Sequence, residues 1–231
     1  GDGDPLLSVA LSPDGRTLYT TSHDGTVIAW DNAANRGLER RFTFTQAPAS
    51  RDPENRYPGL FIQDGRLIAV GLNKRGIQLR KTNGLSPTGA PLLATGGAVN
   101  ALASSPDERT LAAGTKNGKL TLWDLASRSL RWGPVDVSKY EVTSVSFRAD
   151  GTMIVTAGEE GVRLWDAATG AALGTLGKPG MVAFSPTAPL LAVLRTGWSF
   201  RTDRNTEGGG DLEIWDVARR SLIRTIDFET D

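Results

Sequence analysis

The chain has 231 residues, with Lys+Arg and Asp+Glu both at 26 and a formal net charge of +0 at pH 7. That length buries a substantial core, and the charge balance argues against broad capture of nucleic acid or an anionic membrane surface. The absence of cysteine excludes disulfides and thiolate metal sites. No run of about 18 apolar residues exists to insert into a bilayer, and "GDGDPLLS" at 1–8 lacks the basic and apolar regions of a signal peptide. Arginine outnumbers lysine, and Ala and Gly are plentiful. Together these read as a bacterial, GC-rich origin, and a cytoplasmic location is expected.

In chain order, one short phrase recurs. "LLSVALSPDGRTLYTTSHDGTVIAWD" occupies 6–31, and "GLFIQDGRLIAVGLNKRGIQLRK" at 59–81 keeps its rhythm with Arg80-Lys81 in place of Trp-Asp. "AVNALASSPDERTLAAGTKNGKLTLWD" follows at 98–124 and "EVTSVSFRADGTMIVTAGEEGVRLWD" at 141–166. "MVAFSPTAPLLAVL" at 181–194 resumes at "DLEIWD", 211–216. The final positions lie 50, 43, 42 and 50 residues apart, a period that marks a stacked structural unit. Within each unit, turn residues such as Pro13-Asp14-Gly15, Asp24-Gly25 and Asn117-Gly118 separate short alternating runs that read as strands. After each Trp-Asp come a polar turn and a further strand, in "RRFTFT" (40–45), "PLLAT" (91–95), "SLRWGP" (129–134), "AALGTL" (171–176) and "SLIRTI" (221–226). No segment has sustained helical periodicity.

The reading is therefore all-β: five four-stranded antiparallel units at approximately 6–45, 57–95, 98–134, 141–176 and 180–227. A small sheet with two apolar faces buries both by stacking radially on its neighbours, which is a β-propeller. Trp30, Trp123, Trp165 and Trp215 become wedges between blades. Their indole N–H groups need partners, and Ser22 and Thr115 are the expected ones in the first and third blades.

The "SPDG…DGTVIAWD" phrase, repeated at this spacing over nearly the whole chain, resembles the WD-repeat β-propeller family. The resemblance implies structural Trp-Asp pairs at Trp30-Asp31, Trp123-Asp124, Trp165-Asp166 and Trp215-Asp216. It also implies hydrogen-bonded sets at Ser22, Asp24 and Trp30, and at Thr115, Asn117 and Trp123. The family's Gly-His pair is missing, and the single histidine, His23, falls in a hairpin turn. Family propellers mostly close with seven blades, so the five units are expected to be part of a larger propeller; a free-standing five-bladed ring is the alternative.

Chemistry is sparse. No cysteine and one histidine nearly exclude Cys-His and Ser-His-Asp arrangements; His23 is the one candidate base and reads as an inert turn residue. Asp14, Asp24, Asp64 and Asp150 lie in separate units without the spacing of a calcium loop. "EGGGD" at 207–211 lacks the Lys-Ser/Thr pair and helix of a phosphate loop. Glu141, Glu159, Glu160 and Glu213 read as surface carboxylates. No enzyme activity, cofactor or metal is expected.

Two stretches lengthen the period: "TQAPASRDPENRYPG" (45–59) and "RTGWSFRTDRNTEGGGD" (195–211). By the resemblance both emerge on the propeller face that commonly holds peptides, and loops on a rigid scaffold carry function. Trp198 and Phe200 with Arg195, Arg201 and Arg204, and Arg51, Arg56 and Tyr57 in the first insertion, are the candidate partner-binding residues, since aromatics and Arg anchor interfaces. The expected function is a non-catalytic scaffold or sensor for a protein or peptide, including other domains of a larger bacterial signalling protein. A small-molecule or hydrolytic site in the central channel is the rival, and a mere spacer in a propeller array is a third reading.

Overall fold

A computed structural model describes residues 6–11, 17–22, 26–31, 39–43, 58–72, 76–84, 86–93, 96–185, 187–195 and 210–228. In the first sheet the side chains described are those of Leu18 and Thr20. The described residues contain strands and turns and no helix. The first sheet comprises β1 (Leu6–Leu11), β2 (Thr17–Ser22), β3 (Thr26–Asp31) and β4 (Glu39–Thr43). The second is β5 (Gly59–Ile62), β6 (Leu67–Leu72) and β7 (Gly76–Lys81). The third runs β8 (Val99–Ser104), β9 (Thr110–Thr115), β10 (Lys119–Asp124) and β11 (Ser129–Asp136). The fourth is β12 (Val142–Phe147), β13 (Met153–Gly158), β14 (Gly161–Asp166) and β15 (Ala172–Leu176). The fifth is β16 (Met181–Phe184), β17 (Leu190–Arg195), β18 (Gly210–Asp216) and β19 (Ser221–Phe228). Each sheet is an antiparallel meander in sequence order.

The second sheet departs from the four strands expected of it. Residues 86–92 run beside β7 but make only isolated bridges, Ile77 to Leu92 and Arg80 to Pro87. Pro87 and Pro91 lack an N–H to donate to a ladder, and Gly89 between them takes a left-handed φ of +70°. Gln78, 3% exposed, fills the gap by donating from Nε2 to the carbonyls of Leu79 and Gly89.

The first strands β1, β5, β8, β12 and β16 adjoin in that order and form the inner layer. From the second sheet onward, consecutive sheets pack face to face, and the described core lies between them. Ala69, Ile77 and Leu79 of the second sheet meet Val99, Leu111 and Trp123 of the third. Ala112, Leu120 and Leu122 of the third meet Val145, Ile154 and Trp165 of the fourth. Val155, Val162, Leu164 and Leu176 of the fourth meet Val182, Leu191 and Val193 of the fifth. The alternation in "KLTLWD" and "GVRLWD" produces this: neighbouring side chains point to opposite faces, and each face finds a different neighbouring sheet.

Polar straps cross the same seams. In the inner layer the Ser144 hydroxyl accepts from Val182 N and Ser146 from Phe184 N, both at 3.2 Å. In the outer layer the turns after Trp123-Asp124 and Trp215-Asp216 reach back to the preceding blade. Arg128 and Arg220 hold the left-handed conformation (φ 57° and 53°); their guanidinium groups bind the carbonyls of Ala90 and Leu173. Gly170 holds the equivalent place, and a Cβ there would stand 3.0 Å from the Trp132 ring. Trp132 instead donates from Nε1 to Ala167 O at 2.9 Å.

Candidate functional site

Strand pairing shows which loops share an end. Thr26 opens β3 opposite Thr43, the last residue of β4, and Gly210 opens β18 opposite Phe228, the last of β19. The hairpin turns between second and third strands therefore lie at the same end as the links between sheets. Both insertions are anchored at this end. The first leaves from Thr43 and returns at Gly59; the second leaves from Arg195 and returns at Gly210. Arg51, Arg56, Tyr57, Trp198, Phe200, Arg201 and Arg204 lie outside the described residues, as do His23 and Asp24.

Between the third and fourth sheets the described loops of this end are fused. Gly118 (φ +68°) sits so close to the link 137–141 that a Cβ would fall 1.9 Å from Ser138 O. Its carbonyl accepts from the N–H groups of Val137 and Ser138. Glu160 Oε2 in the next hairpin accepts from Lys139 N at 3.3 Å and from Arg163 Nη2 at 3.0 Å. These loops border an open, shallow cleft of about 400 Å³ lined by Asn117, Lys119, Asp136, Ser138, Lys139, Glu160 and Arg163. Lys119 pairs with Asp136 across its wall, and Tyr140, next to the lining Lys139 in the link, is 52% exposed. Apart from Asn117 and Glu160, no sequence feature pointed here, because the lining charges come from three separate loops.

Arg195 is held at the neck of the second insertion. Its Nη1 contacts Asp211 Oδ2 at 2.9 Å and Glu213 Oε1 at 3.2 Å. Glu213, 8% exposed, accepts at its other oxygen from Trp215 Nε1 at 2.9 Å. The carboxylate expected at the surface is thus the indole partner of its own blade. At the third sheet, Glu141 Oε2 accepts from Asn100 Nδ2 at 2.8 Å, and the buried Oδ1 of Asn100 has no partner. Among the described residues, no three His, Asp or Glu side chains converge as a metal site would need.

The repeated tryptophans divide by what receives their N–H. Trp165 donates to Thr156 Oγ1 at 2.9 Å. Thr156 lies two residues beyond Ile154, the cross-strand partner of Trp165. The same place in the third sheet is Ala113, and Trp123 Nε1 is buried without a partner. Thr115, expected to serve Trp123, instead accepts from Lys119 N at 3.1 Å and closes its own hairpin. In the first sheet that place is Thr20, 5% exposed, rather than Ser22. Arg80 occupies the tryptophan place in β7, opposite Ile68; it is half-buried, which lowers its pKa by desolvation, and it lies two strands from the inner layer.

The aspartates that follow organise the outer turns. Asp124 accepts from the N–H and hydroxyl of Ser127, both at 2.8 Å. Asp166 does the same with Thr169 at 2.8 Å, and Asp216 with the N–H and guanidinium of Arg219. Hydrogen bonds to the charged form lower each pKa: chiefly from Ser127 N–H for Asp124, the Thr169 hydroxyl for Asp166 and Arg219 N–H for Asp216.

Residues 7–193 match the family model of the nucleolar protein 10-like N-terminal domain, a β-propeller. The chain is 26% identical over 176 residues to pre-mRNA-processing factor 19 homolog 2 of Arabidopsis thaliana, covering 72% of this chain and 31% of that protein. It is 30% identical over 155 residues to WD repeat-containing protein SL1-17 of Schistosoma mansoni, covering 67% and 48%. The chain thus spans less than half the length of these relatives, 31% and 48%. A chain in a crystal structure of the mitotic checkpoint complex superimposes with TM-score 0.75 at 19% identity, over 99% of this chain and 68% of that one; this likeness speaks for the fold. With the Trp-Asp pairs, the stacked antiparallel sheets and the family match together, the chain belongs to the WD-repeat β-propellers, among the nucleolar protein 10-like N-terminal domains.

Proposed function

We propose that this chain is a non-catalytic interaction platform, part of a larger propeller within a longer regulatory protein, and that it holds a protein or peptide partner at its loop end. The observation that carries the reading is the fused rim of the third and fourth blades, with its cleft and the exposed Tyr140. Glu160 and Gly118 fix the rim loops, so a partner meets a preorganised surface and binding costs little ordering entropy. Lys119, Lys139 and Arg163 against Asp136 and Glu160 offer both signs of charge, which suits a polar peptide. The likeness to WD-repeat relatives supports a scaffold role, and the parent's signalling role and bacterial origin belong to the same proposal.

The test is affinity capture from the source lysate with the wild-type chain and with two variants, Lys139→Glu/Tyr140→Ala and Trp198→Ala/Arg201→Ala. A captured protein lost from at least one variant, with melting unchanged, supports the platform. Equal capture by both variants contradicts it.

A second reading places a small ligand in the central channel. It rests on Asn100, 6% exposed, whose Oδ1 is unpartnered beside Glu141. A melting shift with one ligand class that Asn100→Ala abolishes would favour it.

A further inference from the structure

We infer that Asn83-Gly84 is a site of spontaneous covalent modification, at which the asparagine amide becomes aspartate or isoaspartate, and that the fold shields the chemically identical pair Asn117-Gly118 from the same reaction. The inference does not rest on the proposed function.

The chemistry belongs to the dipeptide. The glycine backbone nitrogen gives its proton to solvent base and attacks the asparagine side-chain carbon, Cγ. A bond forms between that nitrogen and Cγ, the bond from Cγ to the side-chain nitrogen breaks, and ammonia leaves. Water then opens the resulting succinimide at either carbonyl, giving aspartate or isoaspartate. Water is the only co-reactant, and no atom is oxidised or reduced. Glycine suits the step because it has no Cβ to crowd the attacking nitrogen and its backbone turns freely. What the step needs is a glycine N–H that is not held and an asparagine side chain that can swing over it.

The two pairs differ on both counts. Gly84 follows β7 in an exposed turn at φ +81°, and beyond its chain neighbours no atom lies within 4 Å of the place a Cβ would take. Asn83 is exposed too, and among the described residues nothing accepts from the Gly84 N–H. Gly118 is buried. Its N–H donates to Thr115 O at 3.2 Å, and its carbonyl accepts from the N–H groups of Val137 and Ser138 at 2.9 and 3.2 Å. The Asn117 side chain lies against Gly97, where a Cβ would stand 3.0 Å from Asn117 Cγ. Attack at Asn117 therefore waits for the fused loops to open, and such local opening is a minor population. The pairs also lie at opposite ends of the blades. Lys81 ends β7 opposite Leu67, the first residue of β6, so Asn83 sits at the end away from the cleft, whereas Asn117 lines it.

The experiment incubates the folded 231-residue chain at mildly alkaline pH, and a second sample unfolded in denaturant. Each is digested under acidic conditions, and the peptides holding positions 83 and 117 are followed by mass spectrometry. The mass change of NH2 to OH and the chromatographic splitting into two isomers mark the product. In the folded chain position 83 is expected to react at least about tenfold faster than position 117, since several hydrogen bonds must break first at 117. In denaturant the two rates should converge. Asn83→Gln should remove the fast product and leave the slow one unchanged. Equal rates in the folded chain, or a faster reaction at 117, would overturn the inference. So would a position 83 that reacts only in denaturant, because the turn would then be closed to the chemistry. None of these readouts involves the loop-end partner, so failure here leaves that reading standing.

Discussion

The third and fourth blades bury the same tryptophan to nearly the same degree, 8% and 4% exposed, and satisfy it differently. Trp165 has the Thr156 hydroxyl, whereas Trp123 faces Ala113 and keeps a buried, unpaired N–H. Both wedges sit in continuous apolar cores. The difference teaches that the repeat is held by packing, with hydrogen bonding added blade by blade. A buried donor without an acceptor costs roughly 1–3 kcal/mol, which the third blade carries and the fourth does not.

Substitutions sharpen that contrast. The largest effect is expected from removing the wedge itself: Trp165→Ala should cost about 3–5 kcal/mol in chemical denaturation. Thr156→Val, close in shape but without the acceptor, should cost about 1–3 kcal/mol by orphaning the Trp165 N–H. The two tryptophans should then diverge as phenylalanine. Trp123→Phe discards an unpaired donor, so it should cost at least about 1 kcal/mol less than Trp165→Phe; equal losses would mean that hydrogen bonding plays no part in the difference. Ala113→Ser, which supplies the fourth blade's solution to the third, should stabilise by up to about 1 kcal/mol.

The smallest effect concerns pH. The folded pKa values of Asp124, Asp166 and Asp216 lie below the ordinary Asp value. The unfolded chain therefore binds protons first as pH falls, and the contribution of these carboxylates is complete above the ordinary Asp pKa. It is lost progressively as pH drops through that value toward the folded one. Asp166→Asn should flatten the acid limb of a Tm-against-pH curve while altering Tm at pH 7 only modestly.

Much of the architecture was legible because Trp-Asp and its turn residues recur at a fixed period. Exact partners were not, because they depend on register across strands. Counting along the chain assigned Thr115 to Trp123; the pairing of Trp123 with Leu111 moves that place to Ala113. The turn role of Asp124, Asp166 and Asp216 had a local signal, a Ser, Thr or Arg three residues later in "DLAS", "DAAT" and "DVAR". The fourth strand of the second blade carried a warning in Pro87 and Pro91. Glu213 gave a signal only for one partner: Trp215 lies two residues on along the same strand face, whereas Arg195 meets it across the β17–β18 pairing. The cleft was equally hidden, its walls being 46 residues apart between Asn117 and Arg163.

The most direct test of the loop-end platform places a photo-crosslinking residue at Tyr140 in the link 137–141 and, in a second protein, at exposed Thr187 in a turn at the opposite end. Each is irradiated in source lysate. A defined protein adduct from position 140 and none from 187 is the expected result. Adducts from 187 alone, or the same adducts from both, would contradict the assignment of the partner surface.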